Sequence, residues 1–307
     1  KSLRMLKHLA VAVVFAVAFQ GSVACIGVCT RVSDLDFEQQ ALAAYEHVLP
    51  IGGEPFAVVG DTQRTSFQEC AIGREVNDAE SAVIIDGIAS AKPAFLVHLG
   101  DLVFHGASES HWQYFDYIAR PLRAQALPIL PVMGNHEYWG SNESALEHVQ
   151  ARFPRLREQS WYADRHQHLG LIWLNSNDED MPATTWSKQV EWFNKAMDEL
   201  DGREDIRGIF IFAHHAPFTN SDVVDPDTKM QTNFVARFCR SPKALAMMTG
   251  HAHGYERFAR GPAQGCGDRT VLFMVSGGGG GPRSDDLRPA SETGLEDAFS
   301  GSAPRPF

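Results

Sequence analysis

Residues 95–101 read FLVHLGD, a short apolar run that ends at a glycine and a carboxylate. A run this short, bounded by glycine, is typical of a buried strand. Four further runs of this kind end at polar side chains: FAVVGD at residues 56–61, ILPVMGNHE at 129–137, GIFIFAHH at 208–215 and ALAMMTGHAH at 244–253. Helical patterns lie between them at residues 79–90, 112–123 and 187–200. This alternation of strands and helices predicts an α/β domain.

The side chains that follow these strands are of the types that bind metal. They comprise two carboxylates, an amide and four imidazoles: Asp61, Asp101, Asn135, His214, His215, His251 and His253. In open α/β sheets ligands bind beyond the carboxyl ends of the strands, so residues far apart in sequence converge there. Carboxylate, amide and imidazole groups suit divalent ions of intermediate softness, namely Zn, Mn, Fe or Co. Because a carboxylate between two cations offsets their repulsion, we expect two divalent metal ions.

Charge restricts the class of partner. The chain of 307 residues has 38 acidic and 27 basic side chains, which gives a formal net charge of -11. A chain this acidic has no general attraction for nucleic acid or for anionic membrane surfaces. The expected partner is therefore a small molecule, and nucleic acid is not expected.

The first 24 residues have the layout of a cleaved export signal. Basic side chains at Lys1, Arg4 and Lys7 precede an uninterrupted apolar stretch at residues 9–19, and small residues follow at 22–24. That stretch is too short to span a membrane. We therefore expect an exported protein, periplasmic, extracellular or lipid-anchored. Cys25 follows the signal directly, which leaves open a membrane attachment through a lipidated Cys25.

Cysteine usage agrees with export. Without Cys25 the chain retains four cysteines: Cys29, Cys70, Cys239 and Cys266. An even number of cysteines in an oxidising compartment predicts two disulfides, whose pairing the sequence leaves open.

The remaining segments flank a single large domain at residues 54–284. Residues 25–53 are expected to form a linker with a short amphipathic helix over 33–49, and Ser187 is expected to cap the helix at 187–200. The five glycines at 277–281 predict a flexible loop. Residues 285–307 are rich in Ser, Pro and Gly and predict a polar surface tail or partial disorder.

Five short motifs together point to a family: GDT at residues 60–62, GDLVF at 100–104, GNHE at 134–137, HAP at 215–217 and GHAHGYER at 250–257. In this order, each behind an apolar run, they resemble the calcineurin-like metallophosphoesterases, and among these the purple acid phosphatase-like branch. The resemblance implies a four-layer α/β/β/α sandwich with two mixed sheets. It also implies a phosphoesterase that hydrolyses phosphate monoesters or diesters by attack of a hydroxide that bridges two metal ions.

The resemblance also implies a role for each strand-end residue. Its pattern assigns Asp61 and His253 to the first ion, Asn135, His215 and His251 to the second ion, and Asp101 to the bridge between them. His136 would stand over the substrate, where it protonates the leaving oxygen or stabilises charge on the phosphoryl group. Glu137 would accept hydrogen bonds beside the ligands.

Three positions leave the pattern open or depart from it. Phe104 stands where purple acid phosphatases have tyrosine, and a phenyl ring cannot bind metal, so a tyrosinate-bound ferric iron is not expected. Gln63 stands where many members have histidine; its amide oxygen either binds the first ion or its amide forms a hydrogen bond. The His-x-Pro pattern selects His215 as the ligand and leaves His214 beside it.

A catalytically silent member of the same fold, which binds metal and acts as a binding protein, is the alternative function. The departures at Gln63 and Phe104 are the reason to consider it, because a fold does not guarantee an activity.

Overall fold

Two β-sheets form the centre of the protein in a computed structural model that describes residues 29–50, 55–283 and 287–296. The smaller sheet has three parallel strands in the order β1-β2-β3, and the larger sheet has six in the mixed order β4-β5-β6-β7-β9-β8. The strands are β1 Ala57–Val59, β2 Leu96–His98, β3 Ile129–Pro131, β4 Tyr162–His166, β5 Leu169–Trp173, β6 Gly208–Phe212, β7 Ala244–Thr249, β8 Tyr255–Arg260 and β9 Val271–Ser276. The two predicted sheets are thus confirmed; the larger is mixed, whereas the described strands of the smaller are all parallel.

Helices cover the outer faces of the sheets. Their bounds are α1 Phe67–Ala71, α2 Asp78–Ala91, α3 Glu109–Ile118, α4 Arg120–Ala124, α5 Asn142–Arg152, α6 Ala183–Gly202, α7 Thr228–Met230, α8 Ala236–Cys239 and α9 Ala290–Thr293. A π-helical turn, Gln231–Val235, joins α7 to α8. No helix among the described residues is both long and apolar enough to cross a membrane.

Alternation along the strands of the larger sheet explains the layers. Leu171 and Phe212 face a core shared with the smaller sheet and helices α2 to α4. Their neighbours Ile172 and Ile211 face a second core with α6 and α8. Because successive side chains on a strand point to opposite faces, the larger sheet lies between the smaller sheet and an outer helical layer. This arrangement is the predicted α/β/β/α sandwich.

The predicted helix over residues 33–49 is wrong. Only a 3-10 turn, Val32–Asp34, forms there, and residues 35–50 have no regular secondary structure. Tyr45 is buried, stacks on Phe153 with ring centroids 5.2 Å apart, and donates its hydroxyl to Asp116. The guanidinium of Arg123 meanwhile binds backbone carbonyl groups of this segment. These contacts with the domain outweigh a weak local helical pattern.

Other local predictions are corrected in detail. Strand β8 was not predicted, because its sequence alternates charged and apolar residues at the sheet edge. Ser187 does not cap α6, which begins after Pro182; instead its hydroxyl donates to the carbonyl of Ala183. The described part of the tail is ordered against the domain, since Leu287 forms a β-bridge with Ser221.

The two predicted disulfides are present, and their pairing is Cys29–Cys70 and Cys239–Cys266. The predicted export signal, Cys25 and most of the predicted tail lie outside the described residues.

Candidate metal centre

Three of the candidate ligands sit at the same place relative to their strands. Asp61, His214 and His251 each lie two residues beyond the last residue of β1, β6 and β7. Asp61 and His251 have φ angles of 62° and 67°, and Asp101 after β2 has φ 53°. This left-handed conformation is unfavourable for residues other than glycine and concentrates at functional sites. The backbone thus bends sharply after β1, β2 and β7, where Asp61, Asp101 and His251 lie.

A first cluster contains Asp61, Asp101 and His253, which offer ligand atoms within 4.8 Å of one another. Both carboxylates are almost fully buried. The Nδ1 of His253 lies 2.7 Å from the carbonyl oxygen of Pro282. That contact holds the proton on Nδ1 and leaves Nε2, which lies 3.5 Å from Asp61 Oδ1, as a bare acceptor.

Gln63 borders this cluster. In one orientation its amide N–H groups donate to the backbone carbonyls of Asp61 at 3.2 Å and Asp101 at 3.0 Å, and its oxygen faces His253 Nε2 at 3.0 Å. The opposite orientation would place the amide oxygen against two carbonyl oxygens, so we favour the first. The Gln63 oxygen and His253 Nε2 are then two acceptors 3.0 Å apart, a separation that suits two neighbouring ligands of one cation.

A second cluster contains His214, His215 and His251, whose ligand atoms also lie within 4.8 Å of one another. The Nδ1 of His214 lies 2.8 Å from the carbonyl oxygen of Leu99, and its Nε2 points into the cluster. That Nε2 is 3.0 Å from Asn135 Oδ1, 3.3 Å from Asp101 Oδ2 and 3.2 Å from His251 Nδ1. These acceptor atoms converge on one point beside Asp101.

His215 is held differently from its neighbour. Its Nδ1 lies 2.8 Å from the hydroxyl oxygen of Ser176, which also accepts the backbone N–H of His215 at 2.9 Å. The structure therefore brings both histidines to the cluster, and His214 contacts the carboxylate oxygen of Asp101 and the amide oxygen of Asn135 there. Ser176, just after β5, was missed by the sequence analysis because its apolar run ends without a glycine or a charged residue.

Burial and neighbouring charges shift the pKa values of the acidic and histidine side chains in the centre. Burial raises the pKa of Asp61 above its usual range. Burial would also raise that of Asp101, but the charges of His214 and His136 hold it below its usual range. Burial opposes the charge on His214, yet Asp101 raises its pKa to about 9. The charges of Asp101 and His214 thus depend on each other.

Glu137 braces the turn that carries Asp101. Its carboxylate accepts the backbone N–H groups of Gly134, Asp101 and Leu102, each at 2.8 Å, and that of Val103 at 3.3 Å. It is fully buried. Burial, followed by the charge of Asp101, raises the pKa of Glu137 to about 7. Glu137 thus accepts hydrogen bonds from the turns of the candidate ligands Asp101 and Asn135, and its role beside bound metal stays a prediction.

His136 lies at the edge of the centre. Its Nδ1 is 2.7 Å from the carbonyl oxygen of Phe104, and its Nε2 is 3.7 Å from Asp101 Oδ2. The ring stacks on Trp139 with centroids 3.8 Å apart. Phe104 completes this aromatic group, its ring centroid 5.0 Å from that of His136. The imidazole is thus held beside Asp101, the candidate bridge, and the residue His136 is 9% exposed.

Comparison with known proteins identifies the family. The model of the calcineurin-like phosphoesterase family matches residues 54–255, about two thirds of the chain. The chain belongs to the calcineurin-like phosphoesterases. No curated protein matches it in sequence.

Solved structures with the same fold include phosphatases and a protein described by another role. A purple acid phosphatase from yellow lupin (Lupinus luteus) seeds is 17% identical at a TM-score of 0.59, over 80% of this chain and 46% of its own length. A dimetal phosphatase from Danio rerio is 13% identical at 0.52, over 72% and 86%. GAP50, the anchor in the inner membrane complex of Plasmodium, is 13% identical at 0.55, over 76% and 75%. The chain thus spans less than half of the lupin protein, and likenesses this distant show the fold alone.

Glycines let the backbone pass close to the candidate ligands. A Cβ at Gly134 would collide with the carboxylate of Asp101, and one at Gly250 with that of Asp61. Gly134 and Gly250, which precede Asn135 and His251, therefore each leave room for the carboxylate of another candidate ligand.

The loop at residues 277–281 contacts the turn that carries Asp61. Gly279 N–H donates to the carbonyl of Gly60 and Gly281 N–H to that of Asp61, both at 2.9 Å. The glycine run allows the loop to lie flat on the turn that carries Asp61. The sequence analysis predicted the loop but assigned it no role.

Proposed function

We propose that this protein is a phosphoric ester hydrolase with two divalent metal ions, a phosphatase or phosphodiesterase. The observation that carries the proposal is the position of Asp101, whose Oδ2 faces both clusters: it lies 3.4 Å from the Gln63 amide atom that is the oxygen in the favoured orientation, and 3.3 Å from His214 Nε2. The substrate is a small-molecule phosphoester. Membership of the calcineurin-like phosphoesterases supports the reaction class.

The residues fit such ions. Buried carboxylates without compensating charge are costly, and here Asp61 and Asp101 lie together with imidazole and amide acceptors that face one another. We propose Asp61, Gln63 and His253 as ligands of the first ion, Asp101 as the bridge, and Asn135, His214 and His251 as ligands of the second ion. The donor set is mixed oxygen and nitrogen, which suits Zn, Mn, Fe or Co. The side chain of Phe104 has no oxygen atom, so a pair of divalent ions fits better than a tyrosinate-bound ferric iron.

Bound ions would supply an activated water molecule and charge stabilisation for the phosphoryl oxygens. In hydrolysis a bond forms between phosphorus and the water oxygen, and the bond between phosphorus and the leaving oxygen breaks. The leaving oxygen then takes up a proton. His136 is placed to deliver that proton or to stabilise phosphoryl charge, because its Nδ1 is fixed by the Phe104 carbonyl while its Nε2 faces the centre.

Turnover of a generic aryl phosphate tests the proposal directly. The purified protein, loaded separately with Mn, Zn, Co or Fe, is expected to release nitrophenol from a nitrophenyl monoester or from the matching diester. Absence of turnover with every metal and both esters would instead favour the catalytically silent binding protein. The departures from the family pattern at Gln63 and Phe104 are the reason for this alternative.

His136→Ala is expected to lower kcat about 100-fold while the bound metal is retained, since a positioned acid contributes a factor of this order. Initial rates and elemental analysis of the same preparations measure both effects. His168→Ala is the matched control, because His168 is exposed in the turn between β4 and β5. Equal rates for His136→Ala and wild type would remove His136 from the mechanism.

His214→Ala and His215→Ala distinguish the two neighbouring histidines. We expect His214→Ala to lower the metal content from about two ions per chain to about one, because it deletes a ligand atom. We expect His215→Ala to keep nearly the wild-type content at saturating metal and to weaken affinity about tenfold, the effect of a group that supports a ligand. The reverse result would restore the assignment of His215 from the His-x-Pro pattern.

We also propose that the protein is exported. Two disulfides between described cysteines support an oxidising compartment.

A further inference from the structure

A cavity of about 390 Å³ lies beside the candidate metal centre. Phe104, three residues after the bridge candidate Asp101, forms part of its wall, and the ring of Phe104 lies 5.0 Å from that of His136. Arg64, next to Gln63, forms another part. The cavity therefore adjoins the side of the centre where His136 lies, with Phe104 in contact with both.

One wall comes from a segment outside the family match. Residues 31–33 line the cavity, whereas the match begins at residue 54. The disulfide Cys29–Cys70 joins this segment to the end of α1. The guanidinium of Arg64 holds it a second time, by donating to the carbonyl of Thr30 at 3.1 Å. This wall is thus fixed to the domain by a disulfide and a hydrogen bond, and it lies outside the residues that match the family.

The lining is rich in hydroxyl groups and has no carboxylate among its described residues. Its hydroxyls come from three parts of the chain: Ser33, Thr65, Ser66, Ser108 and Ser110. In a chain with a net charge of -11, a cavity without acidic groups is a local exception. It suits a ligand that is both hydroxylated and anionic.

Of the two arginines in the lining, Arg31 is the one available to meet an anion. Arg64 is 5% exposed and paired with Asp78. Burial lowers the pKa of His111 to about 4, so this histidine is neutral near pH 7. Arg31 is exposed and lies over the ring of Phe67 at 5.4 Å, and no ion pair joins it to a carboxylate of the described residues. Its planar guanidinium matches the geometry of a phosphate group.

We propose that this cavity receives the leaving group of the substrate and selects a sugar-like leaving group that carries a second phosphate. Arg31 binds that second phosphate, and the hydroxyl groups of the wall bind those of the sugar. The cavity volume is within the range of small-molecule sites and exceeds what a phosphate alone requires. This inference rests on the proposed function, because it assigns the substrate class of the same centre.

A matched pair of substrates tests the inference. Glucose 1,6-bisphosphate and glucose 6-phosphate share a sugar and differ by one phosphate. We expect the metal-loaded wild type to prefer the bisphosphate in kcat/KM by about fivefold or more, the contribution of one partly exposed ion pair. Arg31→Ala is expected to reduce this ratio to about one. Phosphate release at low substrate concentration measures each value.

Arg207→Ala is the matched control, because Arg207 is exposed at the amino end of β6, opposite the centre. It is expected to keep the wild-type ratio. The double variant Cys29→Ser with Cys70→Ser, which frees the wall without removing Arg31, is expected to lower the ratio as well. A wild-type ratio near one, or an unchanged ratio in Arg31→Ala, would overturn the inference.

Binding separates this inference from the proposed function. If the wild type hydrolyses a nitrophenyl ester but shows no preference between the sugar phosphates, the inference alone fails. If it hydrolyses no ester, the proposed function fails, and calorimetric titration with glucose 1,6-bisphosphate still decides the cavity. We then expect Arg31→Ala to weaken Kd about fivefold, and equal affinities would reject the cavity as a binding site.

Discussion

Asp101→Asn is expected to reduce phosphoester hydrolysis by about 1,000-fold and to lower the bound metal from about two ions per chain to about one or fewer. The substitution keeps the shape of the side chain and removes its charge. An amide offers one neutral oxygen where the carboxylate offers two charged ones, so it cannot offset the repulsion between two cations. Loss of several kcal/mol of stabilisation in the transition state corresponds to this factor in rate.

Elemental analysis and initial rates on the same samples measure both effects. Asp86→Asn is the matched control, because Asp86 is exposed on α2. Its metal content and rate are expected to equal those of the wild type. If Asp101→Asn keeps two ions, Asp101 does not bridge them, and the proposed ligand set must be redrawn.

Glu137→Ala is expected to lower the free energy of unfolding by about 3 kcal/mol, because it leaves four backbone N–H groups at the centre without their acceptor. Each buried donor that loses its partner carries a desolvation cost. The turn that carries Asp101 then loses the group that braces it. Urea denaturation in the presence of a chelator measures the change without contribution from bound metal.

Glu143→Ala on α5 is the matched control for this measurement, because Glu143 is an exposed carboxylate in the first helical turn. Its effect is expected to stay within about 0.5 kcal/mol. A loss below about 1 kcal/mol for Glu137→Ala would mean that water replaces the carboxylate as acceptor.

The strand ends were predictable because apolar runs that stop at a polar residue record where a strand leaves the core. Asp61 and Asp101 were located in this way. The same logic did not separate His214 from His215, because the sequence pattern counts back from Pro217. In the structure, His214 lies two residues beyond the end of β6 at Phe212. Asp61 and His251 lie at the same distance beyond the ends of β1 and β7.

Residues that act through long-range contacts could not be predicted. Ser176 contacts His215 across 39 positions, and nothing near it in sequence signals the contact. The segment before residue 50 was predicted as a helix from a local pattern, whereas Tyr45 is fixed by partners more than 70 positions away. The amide orientation of Gln63 likewise depends on two backbone carbonyls brought together by separate strands.

The acceptor atoms that face one another around Asp101 couple the folding of this chain to its metal supply. The strands fix these atoms in place, so the folded chain presents them together to a cation. Any ion that binds only the folded state adds RT ln(1 + [L]/Kd) to its stability, about 2.7 kcal/mol at a hundred times Kd. The steady-state abundance of the protein would therefore follow the free metal concentration of its compartment, so that metal scarcity reduces the amount of folded protein as well as its metal occupancy.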